Sequence, residues 1–434
     1  MKRLMCLIFT LVLAVYLLSG CSGGGKTANT ESKNAAQAEK VTVDVFQFKV
    51  EFKDAFESAA KKYTESHPNV TINVTTVGGG TDYGAALKAK FNSGEEPAVF
   101  NVGGPQDVAI WKDKLADVSD TKAAGQALPG LLTGVTIDGK PYGLPYNIEG
   151  YGLIYNKDIF TKAGIKAEDI NTFEKLEEAV KTLDANKSKL GIDAVFALPA
   201  KETWVTGLHM SNAFFSPEFD GDIMKAFNAK TIDFKYQDAM KKMLDLQNKY
   251  SVQPTASLDY AAQVQKLFGT GRVAIIQQGN WVFPDLSKMD ADFAQNKIGM
   301  LPYPVYGYKE DCYPVGVPMY WAFNKNKDPN TLKAAKDFID WLYLSDEGKK
   351  IVMEQFKFIP AYNGYPSDAV SDPLGKQVLA AASQGKAINW VFMGYPDGWG
   401  MNKLGQDIQL YVSGQLEWDK LVDNAKKTWA EARK

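Results

Sequence analysis

"VTVDVFQFKVEFKDAFESAAKKYTESHPNVTINVTTV", residues 41–77, decides the fold class. Residues 41–48 alternate and are rich in β-branched side chains, which predicts a strand. Phe52, Ala55, Phe56, Ala59 and Tyr63 then fall on one helical stripe. Pro68 ends that helix, and residues 70–77 alternate again as a second strand. A strand, a helix and a strand in that order predict a parallel βαβ unit, with any ligand in the crevice at the carboxyl ends of the strands.

The alternation continues outward. Residues 83–92 predict a helix and 98–104 a third strand. Further along, 173–185, 203–215, 235–250 and 332–344 read as helices, and 190–197, 272–279 and 315–326 as strands. Residues 403–412 and 416–432 predict closing helices. There is no repeat of fixed period. The reading is α/β, with two lobes, each a mainly parallel sheet flanked by helices.

One stretch carries a charge where an apolar strand is expected. In "LPYNIEGYGLIYNKDIF", residues 144–160, Glu149 stands between Tyr146 and Tyr151, and nothing basic lies between Tyr142 and Lys157. A buried carboxylate without a partner is costly. Either a distant part of the fold pairs with it or a ligand does.

The amino-terminal segment has its own logic. Lys2 and Arg3 precede an apolar run, residues 4–18, that is short of the roughly 20 residues a membrane-spanning helix needs. With the small residues of "LLSGC" it reads as a secretion signal over 1–20, and Cys21 resembles the acylated cysteine of a bacterial lipoprotein. Residues 21–40 are small and polar, a flexible tether rather than a core. Acylation of Cys21 leaves Cys312 alone after the signal, so no disulfide framework is expected. The net charge of −2 argues against nucleic acid. Two histidines, His67 and His209, exclude a multi-histidine metal site, and "TVGGGTDYG" and "GGPQD" lack the lysine of a phosphate loop. No cofactor and no metal are expected.

Together, "HPNVTINV", "GKPYGLPYNIEGYGLIYNKDIFTKAGI", "LFGTGRVAIIQQGNWVFPDL" and "TLKAAKDFIDWLYLSDEGKKIV" resemble bacterial extracellular solute-binding proteins of the sugar-binding class, the family of maltose-binding protein. The likeness covers essentially all of 41–434. It implies lobes of 41–148 with 318–368 and of 149–317 with 369–434, crossings near 147–150, 315–320 and 360–370, and hinge closure on a ligand in the cleft. It also implies a monomer, lipid-anchored on the outer side of the cell membrane and facing the extracellular or periplasmic space. Delivery would be to an ABC permease driven by a cytoplasmic ATPase. No enzymatic activity is implied.

After residue 40 the chain has two arginines, Arg272 and Arg433, which disfavours ligands usually gripped by a guanidinium fork. Aromatic residues outside helical stripes, interleaved with Asn, Gln and Asp, suit a sugar, with its apolar C–H faces and rim of hydroxyls, and an oligosaccharide is expected. The resemblance places Glu149 as the carboxylate accepting from sugar hydroxyls, Trp281 and Trp399 as stacking platforms, and Trp204 as a cleft aromatic. Gln47 and Asp107 fall at carboxyl ends of strands, and Asn280 adjoins Trp281. Trp321 and Trp390 are alternatives for the stacking roles. The loop "GGGTDYG" departs from the maltose protein's, so the sugar is left open. Two other readings stand beside this one. One is a binding protein for a polyamine or another non-sugar solute. The other is a lipid-anchored glycoside hydrolase, for which Glu149 and Asp107 would have to lie roughly 5–9.5 Å apart.

Overall fold

A computed structural model describes residues 39–77 and 82–434. The signal, Cys21 and all but the last two residues of the tether lie outside the described residues, as does part of the "GGGTDYG" loop.

The opening unit forms as its pattern demands. Val41–Gln47 and Val70–Thr76 pair in parallel, from Val41 with Val70 to Gln47 with Thr76. The helix between them, Lys53–Ser66, buries Phe56, Ala59, Ala60 and Tyr63 against the sheet. The first sheet has five strands in the order Val70–Thr76, Val41–Gln47, Val99–Val102, Tyr320–Phe323 and Leu144–Pro145. The second has Ala387–Asn389, Tyr313–Gly316, Glu149–Asn156, Val273–Gly279 and Ala194–Phe196 in order, with Ile298–Leu301 also paired to Glu149–Asn156.

The fold is two-lobed α/β, but both sheets are mixed where mainly parallel ones were expected. Tyr320–Phe323 runs antiparallel to both its neighbours, and Glu149–Asn156 runs antiparallel to all three of its partners. The cause lies in how the chain changes sheets. Residues 315–326, read as one strand, are two: Tyr313–Gly316 belongs to the second sheet and Tyr320–Phe323 to the first, with Pro318 in the gap. Leu144–Pro145 and Glu149–Asn156 divide in the same way across residues 146–148. A strand that enters from the other sheet is free to run either way, because no βαβ crossover fixes its direction.

Each sheet has its own core. Phe56, Tyr146 and Trp321 pack together behind the first, with Trp321 stacked on Tyr146 at 4.4 Å. Tyr151, Ile154, Phe196 and Phe214 are among the buried residues behind the second. One expected helix, 203–215, departs from α geometry. Val205–Met210 is a π-helical turn, and α-helix resumes only at Ser211–Phe215. Such turns often mark functional positions.

Candidate functional site

The site starts at the end of the first strand. Gln47 is fully buried, and its carboxamide is completely engaged. Its Oε1 accepts from the Lys49 backbone N–H at 2.7 Å and the Tyr146 hydroxyl at 3.0 Å, while Nε2 donates to the Lys49 carbonyl and Thr76 Oγ1. These bonds fold residues 47–49 into a fixed bend that turns the Lys49 side chain inward. Lys49 is 4% exposed, and its Nζ donates to Glu149 Oε1 at 2.5 Å and to Glu51 Oε1 at 3.3 Å.

Glu149 therefore has its partner, supplied by the bend after the first sheet's leading strand to the first residue of a strand in the second sheet. Asn147 Nδ2 also donates to Glu149 Oε1, at 3.2 Å. Burial alone would lower the Lys49 pKa, but the Glu149 and Glu51 carboxylates outweigh it and hold the ammonium above its usual range. Burial pushes the Glu51 carboxyl up despite the pull of Lys49.

Aromatic rings surround this cluster. Lys49 Nζ lies 5.3, 5.8 and 6.0 Å from the ring centres of Phe48, Phe52 and Trp281. Trp281 follows the strand Val273–Gly279 and folds back over Gly279, where a Cβ would sit 2.2 Å from the indole. Trp390 likewise covers Gly316, where a Cβ would be 2.6 Å from its ring. Gly316 is paired with Glu149 and Gly279 with Tyr151, so two glycines on neighbouring strands let two indoles lie close to the sheet on either side of the Glu149 strand.

His209 joins these rings. Its imidazole stacks on Tyr151 at 4.8 Å and lies 5.1 to 5.5 Å from Trp204, Trp281, Trp390 and Phe392. The π turn makes this possible. Residues five apart stand roughly 140° apart around an α-helix, whereas the wider turn brings Trp204 and His209 to 5.2 Å. Burial, reinforced by the Lys49 charge, lowers the His209 pKa to about 3, so the ring is neutral at ordinary pH. Trp390 Nε1 and Asn147 Oδ1 are buried with no hydrogen-bond partner. Such groups are uncommon in finished cores and suit a site that a ligand completes.

Of the seven residues singled out in the sequence, five come together here. Gln47 aims Lys49. Glu149 pairs with it. Asn280 Oδ1 accepts from the Gly150 backbone N–H at 3.0 Å, fixing the turn that carries Trp281. Trp204 lies 6.3 Å from Trp281, with its Nε1 donating to Glu202. Asp107 and Trp399 are elsewhere. Asp107 Oδ2 accepts from the Gly103 backbone N–H at 2.7 Å, and burial pushes its carboxyl up to about 6. Trp399 is packed among Phe215, Tyr395 and Trp429, 1% exposed, and donates to Thr428 Oγ1. Trp399→Phe is expected to lower stability by about 1–2 kcal/mol while leaving ligand affinity unchanged, which paired denaturation and titration would check. Trp321, the other alternative for stacking, is also core, bonded to the Tyr343 hydroxyl.

Lys49, Glu51, Tyr151 and His209 were missed. Lys49 and Glu51 carried a signal related to that of Glu149, charges set into an aromatic run, "FQFKVEF", but they offset each other locally and so did not stand out. Nothing in the sequence marked the π turn that recruits His209. Among the described residues no group of three His, Cys, Asp or Glu could hold a metal ion, and no helix is long and apolar enough to cross a membrane.

Residues 58–377 match the family model described as bacterial extracellular solute-binding protein. A relative in Pyrococcus horikoshii, an uncharacterised ABC transporter extracellular-binding protein, is 28% identical over 206 residues, 46% of this chain and 45% of its own length. The chain thus spans under half of that relative. The melibiose/raffinose/stachyose-binding protein MelE of Bacillus subtilis is 24% identical over 356 residues, 79% of this chain and 77% of that one. A solved structure of a chitin oligosaccharide binding protein superposes with a TM-score of 0.76 at 24% identity, over 91% of this chain and 99% of that one.

Proposed function

The chain belongs to the bacterial extracellular solute-binding protein family, and on that premise we propose that it captures a neutral oligosaccharide between two lobes and hands it to an ABC permease. The lobes in this reading are 41–148 with 318–368 and 149–317 with 369–434, and the chain acts as a monomer held to the outer face of the membrane through lipid on Cys21, reaching the extracellular or periplasmic space.

The observation that carries the reading is the Lys49–Glu149 pair, which joins the two sheets beside the ring of Trp281, itself grouped with Trp204 and His209 and, through His209, with Trp390. Aromatic faces accept the C–H faces of a sugar, while an ammonium and a carboxylate offer donors and acceptors to its hydroxyls. The names of relatives such as MelE point the same way. Lys49 argues against a polyamine, which would bring like charge to a buried ammonium. Nor is the hydrolase reading favoured. Glu149 is engaged by Lys49, Asp107 by Gly103, and the two carboxylates share no partner.

Calorimetric titration with melibiose, raffinose and stachyose, and with spermidine as control, tests this. Saturation near one sugar per chain is expected, and a Kd of ~1 µM would correspond to about −8 kcal/mol. Trp281→Ala should weaken binding ~30-fold, the equivalent of about 2 kcal/mol for one lost aromatic face. Continuous heat after each injection would mean turnover and favour the hydrolase. Binding of spermidine alone would sink the sugar reading.

A further inference from the structure

Away from Glu149, the two lobes of that reading, the first body carrying the first sheet and the second body the second, meet a second time. The loop after the first sheet's strand Val99–Val102 carries Gly103 and Gly104 into the helix Pro105–Trp111. Both glycines press on the turn Phe392–Gly394, which packs with the second body. A Cβ at Gly103 would stand 2.6 Å from Met393 Sδ, and one at Gly104 would stand 2.9 Å from Met393 Cβ and 3.2 Å from Ile223 Cδ1. At Gly104 the close atoms are Met393 Cβ and its carbonyl oxygen, at 3.3 Å, which cannot swing away, so a side chain there would push the turn back, whereas at Gly103 the Met393 side chain could yield.

Arg433 fastens the same place. It follows the last helix, Trp418–Ala432, with its guanidinium over the rings of Phe227 and Trp429. Its Nη1 donates to Gln106 Oε1 of the first body at 2.8 Å, and its Nη2 to the Gly394 carbonyl of the second at 2.5 Å. Nε is buried without a partner. A guanidinium is thus partly desolvated and divided between two bodies, in a chain with only one other arginine after residue 40. That arrangement is costly for simple packing and suited to holding the bodies together.

The turn that receives these contacts also reaches the aromatic group, because Phe392 lies 5.4 Å from His209 and 5.1 Å from Trp390. We infer that Arg433, Gln106 and the Gly103–Gly104 seat on Met393 form a lock between the two bodies. Through the Phe392–Gly394 turn, this lock sets how long ligand is held without touching it. Arg433 is a positioning residue in this role. The inference rests on the reading that the bodies open and close on a ligand.

The first test needs no ligand. Spin labels at Lys61→Cys, in the first body, and Glu178→Cys, in the second, report the distance between the bodies. Arg433→Ala and Gln106→Ala are each expected to lower the population at the closed distance about tenfold. The double variant should add little, since both remove the same bond. Arg433→Lys should behave like Arg433→Ala, because an ammonium cannot reproduce the fork. Lys88→Ala, which removes the exposed pair with Asp397, should change the distribution less than twofold. Thermal melts confirm that each variant is folded. Distance distributions in Arg433→Ala and Gln106→Ala identical to the parent's would overturn the lock. If instead the distributions shift but no sugar binds in the titration, the sugar reading falls and the lock stands.

Discussion

Lys49→Met is expected to destabilise the protein by about 3–5 kcal/mol at pH 8, because it leaves Glu149 buried with no counter-charge. Glu149 is 3% exposed, and its remaining side-chain donor is Asn147 Nδ2. Glu51 loses the same partner, although it is nearer solvent, at 15% side-chain exposure. The Glu51 carboxyl, already pushed up by burial, would answer by binding a proton, so part of the loss should be recovered as pH falls from 8 to 5. Glu149→Gln should cost less, since Lys49 keeps Glu51 at 3.3 Å. The Lys49→Met, Glu149→Gln double variant should recover part of the loss, with a coupling of at least about 1 kcal/mol. Urea denaturation at several pH values measures all three. Additive losses, or a Lys49→Met cost below about 0.5 kcal/mol, would mean that water rather than Glu149 satisfies the ammonium. The same cycle, run with ligand, separates the pair's contribution to the fold from its contribution to binding.

That pair also marks the limit of what the sequence could show. The βαβ opening, the helical stripe of Phe56, Ala59 and Tyr63, and the isolation of Glu149 in its strand are all local patterns, and local periodicity reports which face a residue occupies. It does not report the partner. Lys49 and Glu149 stand 100 residues apart and meet only because the bend after a strand of one sheet is brought to the start of a strand of the other. For the same reason a loop tryptophan such as Trp399, surrounded by Gly and Pro in "PDGWG", looked available for a ligand. Its burial comes from Trp429 of the last helix, which no local reading could bring to it. The strand read across 315–326 failed differently. Its β-forming residues are genuine, but Pro318 lets the chain leave one sheet and join another. His209 was hidden by the π turn, since a period of 3.6 residues assigns it to a different face from Trp204.

The His209 environment predicts a specific acid lability. An imidazole that titrates near 3 in the fold and near 6.5 when unfolded binds fewer protons in the native state throughout that interval. Its contribution to stability is therefore complete above about 6.5 and declines as pH falls through 5 toward 3. The linkage amounts to about 2 kcal/mol at pH 5 and about 4 kcal/mol at pH 3; partial solvent contact of the residue moves both toward smaller values. Asp107 works in the opposite direction. Its carboxyl is held up at about 6, so the native state gains protons, and stability, as pH falls toward 4. The parent protein's pH profile is consequently a poor test, because the two effects partly cancel. The difference between His209→Phe and the parent removes Asp107 from the comparison. Whatever its value at pH 7.5, that difference should shift by about 2 kcal/mol in favour of His209→Phe by pH 5. A second arm places the cause. Lys49→Met removes the ammonium that disfavours a second positive charge, so the imidazole should become easier to protonate and the shift smaller. If the difference between His209→Phe and the parent stays flat from pH 7.5 to 5, the ring is protonated or well hydrated in the native state. The five rings would then enclose an open, wet space rather than a closed aromatic group.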